Sequence, residues 1–107
     1  MRNIAGMMKK MQEMQGRLAA MQEDLAEKEF TAIVGSGVVS ATVTGDGKLA
    51  KLKLDPDAVD PADVEILEDM ICLATNRALQ EAADEKTKMM NDITGGLPLP
   101  PGLNLSF

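Results

Sequence analysis

A chain of 107 residues is long enough for one domain, and its core must come from aliphatic side chains and nine methionines because its aromatic residues are two phenylalanines. No 18-residue apolar run and no secretory leader stands in the sequence, so we expect a cytoplasmic protein without a membrane segment. The formal net charge of −6 excludes a protein that coats nucleic acid through bulk positive charge, so any such contact must use a local patch.

The first predicted element is a long helix from Asn3 to about Lys28. Its apolar residues recur at alternating spacings of three and four, which is a heptad seam: Ile4, Met7, Met11, Met14, Leu18, Met21 and Leu25. Most of these positions are methionine, so the seam is pliable and specifies its partner weakly. A helix of about 25 residues is nearly 40 Å long, and we expect part of it to protrude or to meet a second chain.

Three antiparallel strands are predicted next, over residues 30–34, 38–44 and 49–54, joined by a turn at 35–37 and a turn at Asp46-Gly47. The Asp-Gly pair predicts a two-residue hairpin loop, which sets the register. One face then pairs Val43 with Ala50, Ala41 with Leu52 and Val39 with Leu54. The other face pairs Thr44 with Leu49, Thr42 with Lys51 and Ser40 with Lys53.

A second long helix is predicted to open with Asp60 as N-cap and Pro61 at the first helical position, and to end at Gly95-Gly96. Its first half carries two adjacent apolar stripes. They are Val64, Leu67, Ile71, Ala74 and Ala78, and beside them Ile66, Met70 and Leu73. This half is therefore expected to contact both the sheet and a further surface. We interpret residues 1–96 as a single domain and residues 97–107 as a Pro-rich, extended tail that is mobile unless it docks on the body or on a partner.

The residue inventory argues against catalysis. The chain has no histidine, the commonest general base and metal ligand, and Cys72 therefore has no histidine to activate it. We assign Cys72 to packing. A carboxylate cluster at Asp55, Asp57, Asp60 and Asp63 fits no EF-hand spacing and is interpreted as a strand exit and a helix cap. We predict no enzyme activity, no metal, no cofactor and no small-molecule substrate.

The charges of the first helix are unevenly distributed. Arg2, Lys9, Lys10 and Arg17 share one strip away from the seam, while the later part of that strip is acidic at Glu23 and Asp24. Cations at a helix N-terminus oppose the helix dipole. Two explanations remain open: the basic end faces a polyanion such as DNA, or two helices pair antiparallel so that basic and acidic ends meet. Further basic residues are candidates for the same patch or ordinary solvated side chains: Lys86, Lys88 and, more weakly, Lys51 and Lys53.

An ordered set of segments resembles the YbaB/EbfC family. The segments are Met7 to Gln15, Gly37-Val38-Val39, Gly45 to Leu49, Leu54-Asp55-Pro56 and Thr94 to Pro98. The resemblance spans essentially the whole chain. It implies an intertwined homodimer with projecting helices, a cytoplasmic or nucleoid location, and DNA binding that shapes chromosome organisation or gene expression.

On this resemblance, duplex DNA is the expected partner and the projecting helices carry the contacts. The expected DNA-binding residues are Arg2, Lys9, Lys10, Arg17, Lys86 and Lys88. The expected dimer interface is Val39, Ala41, Val43, Leu52, Leu54, Ile66, Met70, Leu73 and Ala74. The alternative hypothesis is a protein-interaction adaptor whose Met-rich helix and Pro-rich tail bind a recombination or replication factor.

Overall fold

The computed structural model describes residues 2–95 as two long helices and a three-stranded sheet. In chain order the elements are α1 (Arg2–Glu27), β1 (Glu29–Val34), β2 (Val39–Thr44), β3 (Leu49–Leu54) and α2 (Val64–Thr94). The strands are antiparallel in the order β1-β2-β3, which confirms the predicted α+β fold. The tail predicted at residues 97–107 lies outside the described residues. No helix within residues 2–95 is long and apolar enough to cross a membrane.

α2 covers one face of the sheet, where it lies over β1 and β2. The inward-facing residues of the central strand have no exposed surface: Val39, Ala41 and Val43. Three buried alanines, spaced four apart on α2, face them: Ala74, Ala78 and Ala82. Because alanine ends at Cβ, this spacing lets the helix backbone come close to the sheet. The inward side of β3 is left largely uncovered by α2.

The second half of α1 packs antiparallel against the end of α2. Three buried residues of the heptad seam contact three residues near the end of α2: Leu18, Met21 and Leu25 against Met89, Met90 and Ile93. Lys28, just after α1, lies 3.9 Å from the Glu85 carboxylate, while Met14 packs near Ile93. The first half of the seam extends beyond the end of α2, and this confirms the expectation that part of α1 protrudes.

The β2–β3 hairpin differs from its predicted register at the turn. Val43 pairs with Leu49, not with Ala50, although the register from Thr42 to Val39 is as predicted. The loop has three residues, because the N–H of Gly47 donates to the Thr44 carbonyl and the N–H of Thr44 donates to the Lys48 carbonyl. Only Gly47 has positive φ there, at 88°. This is a turn followed by a left-handed glycine, and Ala50 is the extra residue that restores the register.

α2 begins three residues later than predicted, at Val64. The Asp60 side chain accepts a hydrogen bond from the N–H of Ala62 at 2.9 Å, and the N–H of Asp63 donates to the Asp60 carbonyl at 2.9 Å. Asp60 and Pro61 therefore form a separate turn in which proline presets the backbone. The predicted end of the helix is confirmed, because Gly95 adopts φ 63° and its N–H donates to the Asn91 carbonyl.

Cys72 is exposed, so the packing role assigned to it is wrong. It stands two residues before Ala74, which is about 200° around the helix, and so faces away from the sheet.

Gly45 joins the end of α1 to the sheet. Its N–H donates to the Lys28 carbonyl at 3.0 Å. A Cβ added at Gly45 would overlap the carbonyl oxygen of Leu25 and lie 2.8 Å from its carbonyl carbon. Both atoms belong to backbone, which cannot rotate away as a side chain does.

We expect Gly45→Ala to lower the free energy of unfolding by about 1–3 kcal/mol, the usual cost of overpacking. The measurement is urea unfolding followed by circular dichroism. The control is Gly16→Ala, because a Cβ there meets nothing within 4 Å. This control should stabilise α1 by up to about 1 kcal/mol. Equal stability of the two variants would show that α1 does not approach the turn this closely.

Candidate nucleic-acid interface

The first half of α1 combines positive charge with projection from the body of the protein. Residues 2–17 contain one carboxylate, Glu13, and four cations, which we call the basic strip: Arg2, Lys9, Lys10 and Arg17. Residues 18–27 contain three carboxylates and no cation. Contacts with α2 begin near Met14, so about 12 residues, or about 18 Å of helix, extend past it. Lys9 and Lys10 therefore lie on the part of α1 that the body leaves free, and Arg17 lies just inside the part that contacts α2.

The described members of the basic strip are exposed and uncompensated. Lys9, Lys10 and Arg17 are exposed and form no ion pair with any residue in the range 2–95. Lys28 at the other end of α1 shows the contrast, because its Nζ lies 3.7 Å from Asp24 and 3.9 Å from Glu85. The side chain of Arg2 lies outside the described part of the structure. The three cations can thus approach an external anion without breaking an internal pair.

Lys10 and Arg17 also border an apolar groove. Together with Glu13, Met14 and Ile93 they line a depression between α1 and the end of α2. A second depression continues toward the start of α1 and is lined by Asn3, Gly6, Met7 and Lys10. The basic strip therefore runs beside the exposed part of the heptad seam.

The remaining basic candidates occupy different places. Lys88 is exposed on α2, whereas Lys86 is half-buried and takes part in an interaction. Neither lines the groove that holds Lys10 and Arg17. Lys51 and Lys53 are exposed on β3, opposite Thr42 and Ser40 in the register. The structure therefore joins Lys10 and Arg17 in one surface and leaves Lys86 and Lys88 as separate predicted contacts.

The residues predicted for the dimer interface fall into two groups. Four have no exposed surface in the single chain: Val39, Ala41, Val43 and Ala74. Leu54 and Met70 are half-buried against the core under the start of α2. The other three are exposed, with Leu52 at 39%, Ile66 at 54% and Leu73 at 43%. The second apolar stripe of α2 and the inward side of β3 are thus the parts still available to another chain.

The carboxylate cluster before α2 caps backbone turns. The Asp55 side chain accepts a hydrogen bond from the N–H of Asp57 at 3.1 Å, and Asp60 accepts one from Ala62. The Asp55 bond agrees with the predicted strand exit, but the predicted helix cap is wrong, because Asp60 caps a turn that precedes α2. In the described part of the chain, no three carboxylate or thiol groups lie together as a metal site.

Two features of this surface were not predicted from the sequence. The division of the seam at Met14 depends on where α2 ends in space, which no spacing within α1 reveals. The pairing of Lys28 with Glu85 joins residues 57 positions apart and has no local signal.

Comparison with known proteins gives a consistent result. The chain matches the YbaB/EbfC DNA-binding family over residues 1–97. It is 41% identical over 107 residues to a nucleoid-associated protein of Gluconobacter oxydans, with all of both chains covered. It is 44% identical over 98 residues to a nucleoid-associated protein of Clostridium acetobutylicum, with 92% of this chain and 88% of that one covered. An uncharacterized protein from Helicobacter pylori has a similar fold, with a TM-score of 0.72, 19% identity, and 89% of this chain and 97% of that chain covered.

The exposure of the strip leads to a stability prediction. Replacing Lys9, Lys10 and Arg17 together by glutamine should change the free energy of unfolding by no more than about 0.5 kcal/mol, because exposed side chains without a partner contribute little to stability. Urea unfolding at low ionic strength measures this. A loss above about 1 kcal/mol would mean that the three cations pair with carboxylates of another chain, as antiparallel pairing of two first helices would require.

Proposed function

We propose that this chain, which belongs to the YbaB/EbfC DNA-binding family, acts as a homodimer that binds duplex DNA through the basic strips of its two α1 helices. The family comprises nucleoid-associated DNA-binding proteins and is not a class of enzyme. The observation that carries the proposal is that Lys9, Lys10 and Arg17 are exposed without ion pairs on a projecting helix. We place the protein at the nucleoid, in keeping with the names of its relatives.

The chemistry of the strip suits the phosphate backbone. Lysine and arginine neutralise phosphates and release counterions, which gives affinity without reading base sequence. Duplication of the strip by two-fold symmetry doubles the contacts that one weakly basic helix can make. Binding of this kind bears on chromosome organisation or gene expression by covering and shaping DNA. Sequence preference would then come from the shape of the duplex.

The dimer in this proposal uses the apolar surface that one chain leaves open. Leu52 faces inward from an edge strand, on the side of β3 that α2 does not cover. Ile66 and Leu73 belong to the α2 stripe that the sheet does not reach. Side chains of this size are stabilised by roughly 1.5–3 kcal/mol each on full burial, so their exposure favours association. The fully buried Val39, Ala41, Val43 and Ala74 form the core between β2 and α2, next to this surface.

Replacement of two exposed leucines by aspartate tests the proposed dimer interface. We expect Leu52→Asp with Leu73→Asp to convert the dimer to a folded monomer, because two charges per chain would be buried in an apolar contact. Sedimentation velocity gives the oligomeric state, and circular dichroism monitors folding. The control is Ile33→Asp, which is 63% exposed on the opposite face of the sheet and should remain dimeric. A double variant that stays dimeric would place the interface elsewhere.

The DNA site is tested by two variants of equal charge. Changing Lys9, Lys10 and Arg17 to alanine should weaken binding to duplex DNA at low salt. The slope of the logarithm of the binding constant against the logarithm of the salt concentration should also become less negative by about 5, if each dimer loses six phosphate contacts. Fluorescence anisotropy over a salt series gives both quantities.

The control for that experiment changes Lys48, Lys51 and Lys53 to alanine, which removes the same net charge from exposed positions of the hairpin. It should keep most of the salt dependence. Equal losses in both triple variants would reduce the effect to net charge and would contradict a site on α1. A dimer without DNA affinity that captures a recombination or replication factor would favour the adaptor hypothesis.

A further inference from the structure

The heptad seam of α1 is buried in one half and bare in the other. Leu18, Met21 and Leu25 retain 2–6% exposure, whereas Ile4 is 55% and Met7 62% exposed. Met11 and Met8 are also exposed, at 46% and 58%. The change from bare to covered occurs where α2 ends, because Met14 is the first seam residue along the chain that packs near Ile93. An apolar stripe of about three helical turns is thus left without a partner among the described residues.

The chain leaves α2 at the boundary of this bare stripe. α2 runs antiparallel to α1, so its direction at Thr94 points toward the start of α1. Gly95 ends the helix in the left-handed conformation, and Ile93 lines the groove with Met14 and Lys10. The residues that follow therefore begin next to the uncovered half of the seam.

Residues 96–107 have the composition of a segment that packs on an apolar surface. The segment contains no Asp, Glu, Lys or Arg, although 26% of the whole chain is charged. It contains five large apolar residues: Leu97, Leu99, Leu103, Leu105 and Phe107. The last three alternate with Asn104 and Ser106, which gives an extended chain one apolar edge. The prolines at 98, 100 and 101 lower the entropy lost when such a segment is ordered.

We propose that residues 96–107 lie along the first half of α1 of the same chain and cover Ile4, Met7 and Met11. Twelve residues in a polyproline-like path span about 37 Å. The helix from Met14 to Ile4 is about 15 Å long, so the segment reaches the whole stripe. Attachment to the end of α2 gives the segment a millimolar effective concentration, so even a weak contact is populated.

The features of the stripe favour this occupant over a second copy of α1. The second half of each seam is already covered by α2, so two seams could meet only through their basic first halves. Lys10 and Arg17 border this region in both copies, and like charges would then face each other. An uncharged segment carries no such repulsion. Methionine side chains adapt to a partner of irregular shape, as a Leu-Pro segment is.

The docked segment leaves Lys9 clear. Lys9 stands about 160° around the helix from Met7, so Lys9 and the seam face different directions, whereas Lys10 and Arg17 lie at the edge of the docking surface. This inference does not depend on DNA binding, and the two are tested by different measurements.

The natural methionines report on the contact. In full-length protein with 13C-labelled methionine methyl groups, a nitroxide spin label is attached at Ser106→Cys in a Cys72→Ser background. We expect the methyl signals of Met7 and Met11 to be lost through paramagnetic relaxation and those of Met70 to persist. The matched control places the label on native Cys72, which is exposed on α2. It should broaden Met70 and spare Met7 and Met11.

Two additions separate the possible occupants. Diluting spin-labelled, isotopically unlabelled chains into 13C-labelled chains without a spin label should restore the Met7 and Met11 signals, because the contact is within one chain. In the Ser106→Cys protein, Leu105→Ser should partly restore them and Asn104→Ser should not. Unchanged Met7 and Met11 signals in the first experiment, or signal loss in the mixed sample through a second copy, would overturn the proposal.

Discussion

The contact between the second half of α1 and the end of α2 sets the shape and the charge distribution of the molecule. α1 has 26 residues, but α2 holds it only from Met14 onward. Gly45 anchors the same end, since its missing side chain lets the hairpin turn reach the backbone of Leu25. A helix held at one end projects at the other. The molecule is therefore elongated, with principal extents of 72 × 20 × 18 Å.

The sheet side of the protomer is incomplete for a similar reason. One helix about 10 Å wide cannot cover three strands spaced roughly 4.8 Å apart together with their side chains. α2 is centred on β1 and β2, where its alanines allow close packing, so β3 keeps apolar residues at the surface. The protomer thus has a well-packed centre at Val39, Ala41 and Val43 and an open flank. The proposed dimer would close that flank.

Local signals in the sequence predicted the elements, and non-local distances limited the prediction of the site. The heptad spacing, the strand alternation and the Gly95 cap each act within a few residues, and the order of elements follows from them. The Asp46-Gly47 signal gave the right hairpin and the wrong loop length, because Gly45 also belongs to the loop and only Gly47 has positive φ there. Asp60-Pro61 is an equally good start for a turn as for a helix, and the turn formed. Which half of α1 would be bare depended on where α2 ends in space, and the sequence contains no measure of that.

The same constraint reconciles an acidic protein with a polyanionic partner. At physiological ionic strength charges are screened over about 8 Å. Lys10 and Asp24 are separated by about 21 Å along α1, so the carboxylates near the body act weakly at the projecting end. The electrostatic potential around the cations is therefore set mainly by the cations themselves, and the net charge of −6 has little effect on it. If the first half of α1 lay against the sheet, the same cations would pair with the carboxylates of the body and lose their field. Projection of the helix, more than the number of its basic residues, is what makes contact with DNA physically reasonable for this chain.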